Sequence, residues 1–180
     1  MEKVTPSSYS LKQIKSPSEV SFKEIKSLVD LLKDAVANNY SVGFMRDSTE
    51  ADFEKFWLDE ISRCDSENGI FIAFSGDEVL GSVIVTRELR ANGRHRAEFR
   101  KLLVHSTAQK MGIGTALEKL ATNYAKDIGL MLLYLDSATS YLIDGVYEKW
   151  GWKKSGEIPN FAKNPDGSLV STWFFYKLLN

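Results

Sequence analysis

Cysteine occurs once in this chain, at Cys64, and histidine only twice, at His95 and His105. A single thiol excludes an intrachain disulfide, and with two histidines no zinc-ligand cluster can be assembled at a recognised spacing, so no metal is expected. Neither sign of charge is in excess: 23 Lys and Arg stand against 24 Asp and Glu, a formal net charge of -1. That balance gives no electrostatic footprint for nucleic acid or an anionic membrane. No apolar run approaches the roughly 20 residues of a membrane-spanning helix, and Met1-Glu2-Lys3-Val4-Thr5-Pro6 lacks the apolar core of a signal peptide. A soluble, cytoplasmic protein is the expectation. Internal repeats, low-complexity tracts and linkers are also missing. With 43% hydrophobic residues in 180 positions, one domain over residues 1–180 with a sizeable core is expected.

What is present changes texture along the chain. Residues 1–20 are polar, with an edge strand expected around Tyr9 to Lys15. Ser21 followed by Glu24 matches a capping box, and Phe22, Ile25, Leu28, Val29, Leu32 and Val36 recur at helical spacing, which predicts an amphipathic helix over 22–37. Asp47 or Ser48 is the expected cap of a second helix, with Phe53, Phe56, Trp57 and Ile61 facing inward. Strand-like runs follow at Ile70 to Phe74, Val79 to Leu89 and Arg96 to Val104, separated by turns at Ser75-Gly76-Asp77 and Asn92-Gly93. The chain then alternates: a helix from Ile113 to Asp127 stopped by Gly129, a strand Leu130 to Leu135, a short helix Tyr141 to Trp150 stopped by Gly151, a polar loop Pro159 to Ser168, and a strand Ser171 to Leu178. Helices, a meander and then alternating strands and helices imply an α/β (α+β) fold around a mixed sheet.

The strongest chemical signal follows the strand ending at Val104. Gln109-Lys110-Met111-Gly112-Ile113-Gly114-Thr115-Ala116 begins a helix with two glycines that let the backbone approach a ligand, and the N–H groups and dipole of a helix start suit a pyrophosphate. Lys110 adds charge nearby. A dinucleotide fingerprint needs a third glycine, but Gly114 is followed by Thr115, Ala116 and Leu117; a Walker loop needs Gly-Lys-Ser/Thr, which is missing. By itself the GxG pair is as readily a plain helix-starting turn.

In combination these residues resemble the GNAT acetyltransferases. Glu98-Phe-Arg-Lys-Leu-Leu-Val104, then Gln109-Lys-Met-Gly-Ile-Gly-Thr-Ala-Leu117, is similar to the family's strand followed by (Gln/Arg)-x-x-Gly-x-(Gly/Ala). Leu132 to Asp136, then Tyr147-Glu148-Lys149-Trp150-Gly151-Trp152, resembles its next strand and tyrosine-bearing helix. Leu135-Asp136-Ser137 and Gly156-Glu157-Ile158-Pro159 with Pro165-Asp166-Gly167 are closest to small-molecule acetyltransferases of the tabtoxin-resistance type. Ser137 replaces a threonine of that pattern, and His105-Ser106 stands where many members have a proline second.

The resemblance implies a mostly antiparallel sheet with two splayed parallel central strands, acetyl-CoA as co-substrate held by Leu102, Leu103, Val104 and residues 109–116, and an N-acetyltransferase activity. It also makes a homodimer plausible. Acetyl transfer needs a deprotonated amine, a stabilised oxyanion and a protonated leaving thiolate. The resemblance implies a Val104 N–H as oxyanion donor and Tyr147 as general acid; the same tyrosine also fits an apolar helix face with Ile143 and Trp150. Asp136 and Glu98 are alternative bases, each equally explained as a capping or surface carboxylate. Phe44, Trp57, Trp150, Trp152, Phe161 and Trp173 are candidates for an acceptor pocket, against the ordinary expectation that aromatics are core. Cys64 lies outside every implied catalytic element, so direct transfer to a primary amine of a small molecule is expected, with a protein amine as the alternative acceptor and a catalytically weak acetyl-CoA sensor as the alternative class.

Overall fold

The computed structural model describes residues 8–65, 67–140 and 143–179. β1 (Ser10–Ile14) leads to α1 (Phe22–Ala37) and α2 (Glu50–Ser62). Both helices start from reciprocal caps. In the first, Glu24 N–H donates to Ser21 Oγ at 3.2 Å while Ser21 N–H donates to Glu24 Oε2 at 2.7 Å, satisfying two otherwise orphaned donors. The second cap is Thr49 with Asp52, not Asp47 or Ser48. Ser48 Oγ instead accepts from Met45 N–H within the preceding loop and has Ala51 three residues on, whereas Glu50, three residues after Asp47, is engaged by Lys26 and Lys33.

β2 (Asn68–Ser75), β3 (Glu78–Arg87) and β4 (Arg96–Val104) form the meander. β3 ends two residues before Leu89, and Ala91–Gly93 makes a single 3₁₀ turn. α3 (Ile113–Asp127) crosses over to β5 (Leu132–Ala138), and α4 (Val146–Lys149) precedes β6 (Lys153–Lys163) and β7 (Leu169–Leu178). β5 starts later than Leu130 because Leu130 N–H is still bonded to Ala125 O at the end of α3. It runs on to Ala138, so Asp136 lies inside a strand and not at its end. The short helix is one turn; Tyr141 and Leu142 of the predicted 141–150 span lie outside the described residues. Pro159 to Lys163, expected as loop, belongs to β6. An edge strand tolerates proline, and β6 accommodates Pro159 and Asn160, at φ 55°, where its register with β7 shifts between Ile158 and Ala162.

The seven strands are ordered β1-β2-β3-β4-β5-β7-β6, antiparallel throughout except for β4 and β5. That parallel seam consists of three residue pairs, Arg96–Leu132, Ala97–Leu133 and Glu98–Tyr134. Beyond them β4 stays on β3 and β5 stays on β7, so the sheet opens. β4 also carries a bulge: Ser82 pairs with Leu103 and Ile84 with Arg100, leaving Lys101 and Leu102 opposite Val83 alone. Lys101 has φ 54°, and its carbonyl accepts from Ser82 Oγ at 3.0 Å.

Two cores lie on opposite faces of the sheet. Leu28, Leu32, Phe53, Trp57 and Ile61 of α1 and α2 pack on Ile70, Ile72 and Ile84. Ile113, Leu117, Ala121 and Ala125 of α3 pack on Ala97, Phe99, Leu133 and Leu135. Among the described residues no helix is long and apolar enough to cross a membrane.

Candidate active-site cleft

Where β4 and β5 part, a cleft of about 1300 Å³ opens. Its lining comes from both faces of the sheet. Residue alternation places Ala97, Phe99, Leu133 and Leu135 toward α3, hence Glu98, Tyr134 and Asp136 toward α1 and α2. The bulge resets this order on β4, so Leu102 and Val104 pack in the α3 core while Leu103 packs in the other. His105 N–H bonds Leu80 O at 2.9 Å, which makes the neighbouring pair Val104–Gly81 the non-hydrogen-bonded kind. Val104 therefore turns its N–H and C=O away from β3, toward the opening.

On the α3 side the wall is the predicted phosphate turn. Lys110 at φ 65° and Gly112 at φ 79° are both left-handed, the alternation that gathers backbone N–H groups into an anion-binding concavity. In contrast to α1 and α2, α3 receives no side-chain cap from its N-cap residue, Gly112. The N–H groups of Ile113, Gly114 and Thr115 precede any intrahelical acceptor, and the positive end of the helix dipole lies among them. A Cβ at Gly114 would meet nothing nearer than the Trp150 ring at 3.7 Å, so packing within the protein does not demand glycine there. These residues fit a pyrophosphate.

Tyr147 stands on the same side, against Phe175 at 5.0 Å, Trp150 at 5.6 Å and Trp152 at 6.1 Å between ring centroids. It is a core aromatic and also lines the cleft. Burial pushes its hydroxyl up to about 12, partly offset by a hydrogen bond with Ser137, so it holds its proton. The turn carrying it is braced by a buried carboxylate. Glu118 Oε1 accepts from Thr122 Oγ1, Trp152 Nε1 and Lys177 Nζ at 2.9, 2.9 and 2.7 Å, and Lys177 also donates to Trp150 O at 2.8 Å.

On the α1–α2 side the cleft is lined by Glu98, Asp136, Lys101 and the loop 38–45. Glu98 lies 3.9 Å from Arg100 Nε, and Asp136 is exposed. The loop is tied to the β6–β7 turn: Asn39 Nδ2 donates to Asp166 Oδ2 at 3.0 Å, Asp166 N–H donates to Asn39 Oδ1 at 3.1 Å, Ser41 Oγ donates to Lys163 O at 2.8 Å, and Arg46 N–H donates to Pro165 O at 3.0 Å. Phe44 and Trp150 line the cleft. The other aromatics considered for it do not: Trp57 is core with its indole bonded to Leu28 O, Trp152 bonds Glu118, Trp173 bonds Glu157, and Phe161 stacks on Phe174 outside it. Cys64 lines a separate cavity of about 270 Å³ with Glu60 and Arg100, and burial raises its thiol to about 11.

The structure thus brings all three proposed catalytic residues, Leu102 to Val104, and Gln109, Lys110 and Gly114 of the cofactor turn to one cleft; Met111, Gly112, Ile113, Thr115 and Ala116 do not line it. Lys101, Glu118 and the loop-to-turn tie were not singled out from sequence. For Lys101 a signal existed, because Arg100-Lys101 places two charges in succession where a strand should alternate.

Residues 28–152 match the model of the acetyltransferase (GNAT) family. Solved structures share the fold. An N-acetyltransferase from Staphylococcus aureus has a TM-score of 0.79 at 18% identity, covering 97% of this chain and 100% of that one. An acetyltransferase from Salmonella typhimurium, solved with acetyl-CoA, has a TM-score of 0.77 at 12% identity, covering 97% and 95%. A ribosomal-protein-alanine N-acetyltransferase from Brucella melitensis has a TM-score of 0.75 at 18% identity, covering 94% and 99%.

Proposed function

Because the chain belongs to the acetyltransferase (GNAT) family and is an acetyl-CoA-dependent acyltransferase, we propose that it transfers acetyl directly to a primary amine of a small molecule, without an acyl-enzyme. The observation that carries this reading is the single cleft through the parted sheet. It connects the anion-binding turn and Tyr147 on one face with two carboxylates on the other.

In this reading the N–H groups at 110–116 hold the pyrophosphate, and the backbone of Leu102 to Val104 holds the pantetheine arm. Val104 N–H donates to the carbonyl oxygen of the thioester as negative charge develops there. Asp136 or Glu98 takes the proton from the attacking amine, directly or through a water. The nitrogen–carbon bond forms, the carbon–sulfur bond breaks, and Tyr147 gives its proton to the departing sulfur. Cys64, protonated and in another cavity, supports direct transfer over a thioester relay.

The test is thiol release from acetyl-CoA across a panel of small primary amines and peptides. We expect release with small amines. Release confined to peptides would assign a protein acceptor, and acetyl-CoA binding without any release would make the protein a sensor module.

A further inference from the structure

We infer that Lys101 determines specificity by receiving a carboxylate of the acceptor, so that the molecule acetylated is an amino-acid-like zwitterion. This rests on the acetyl-transfer reading above and narrows it.

The bulge in β4 is what aims this lysine. In an unbroken strand, residue 101 would follow Phe99 onto the α3 face and into its core. With two residues opposite Val83, Arg100 and Lys101 instead both face α1 and α2. Bulges re-aim side chains in this way, here with a non-glycine residue at φ 54°, in the left-handed region that favours glycine. The lysine stem lies along Phe56, with Nζ 5.3 Å from the ring centroid, and Nζ donates to Val42 O at 2.8 Å. An ammonium has three donors; a carboxylate oxygen is the strongest acceptor for the remainder.

The surrounding charges divide the acceptor's ends. Arg100 is engaged by Glu60 and Thr86, Lys110 stands at the phosphate turn, and Lys163 is exposed at the rim. Lys101 is the cation facing the acceptor side beside Glu98 and Asp136, which would take the amine end. Burial lowers its pKa and Arg100 adds to that, while Glu98, Asp136 and Glu60 pull the other way without restoring it, so an incoming carboxylate supplies compensation the protein leaves incomplete. One polar group of the same cleft lacks a partner: Thr172 Oγ1 is buried without a hydrogen bond. Thr172 pairs with Ala138, two residues beyond Asp136, and so shares its face.

The standard L-amino acids and their carboxamides are titrated by calorimetry into coenzyme A-saturated protein. We expect at least one acid to bind about tenfold or more tighter than its amide, the scale of a hydrogen bond to a charged group. Lys101→Met, which keeps the stem over Phe56, should remove that preference, and Lys101→Arg should retain much of it. Melting temperature and coenzyme A affinity check that the variants are folded. Binding of no amino acid, equal binding of acid and amide by the wild type, or an intact preference in Lys101→Met overturns the inference. Thiol release with carboxylate-free amines separates the two readings: acetylation of such amines without acid binding removes only the role of Lys101, whereas no release with any acceptor removes the transferase reading and leaves the binding ratios to judge Lys101.

Discussion

Tyr147 shows how one side chain serves packing and chemistry together. Its ring is fixed by Phe175, Trp150 and Trp152, and the same burial that packs it keeps the hydroxyl protonated at about 12 against an ordinary 10. Tyr147→Phe retains the ring and removes the proton. We expect kcat to fall by about 100-fold, the low end of general-acid contributions, with coenzyme A affinity little changed by calorimetry; undiminished turnover would leave Tyr147 a core aromatic only. The pKa makes a second expectation for the same variant. A hydroxyl whose folded pKa is raised stays protonated after the unfolded chain has begun to ionise, so its stabilisation is complete below pH 10 and is lost as pH climbs from 10 toward about 12. Denaturant midpoints on either side of pH 10 should therefore drop more steeply for wild type than for Tyr147→Phe.

Elements were legible in the sequence where local chemistry decides them. The capping box at Ser21 and Glu24 marked α1, Gly129 marked the end of α3, and alternation marked β4, whose bounds agree with the expectation. β6 was not legible at all, because it is an edge strand with nearly every position exposed and no apolar period to read; β7 is what holds it extended. The α3 turn is the element whose role can be separated from its stability. Gly112 needs φ 79°, but Gly114 is helical with room for a Cβ. Gly114→Ala should leave cofactor binding largely intact and stabilise the helix by up to about 1 kcal/mol. Gly114→Val places branched carbons over the N–H groups at the helix start, and coenzyme A affinity should fall at least about tenfold, or 1.4 kcal/mol. Equal calorimetric affinities for wild type and Gly114→Val, with the variant folded, would detach this turn from the cofactor.

At the scale of the whole molecule, the sequence alone could not show that β4 and β5 part after three pairs, since pairing between strands about 35 residues apart depends on how α3 and β7 seat them. It also could not show which face Lys101 meets, because that follows from the bulge. The resemblance to GNAT enzymes supplied the splay, the turn and Tyr147; the acceptor end, with Lys101, Thr172 and the tie between Asn39 and Asp166, became visible only in three dimensions. The cleft takes walls from both faces of the sheet, one at the α3 turn and one at the loop 38–45, which is tied to the β6–β7 turn. Each of two molecules can then have its own wall, and neither has to depart before the other arrives. Steady-state velocities measured against both substrates should accordingly give double-reciprocal lines that intersect, the pattern of a ternary complex. Parallel lines, the pattern of an enzyme that is acetylated and releases coenzyme A before the amine binds, would mean that the two walls do not hold two substrates at once.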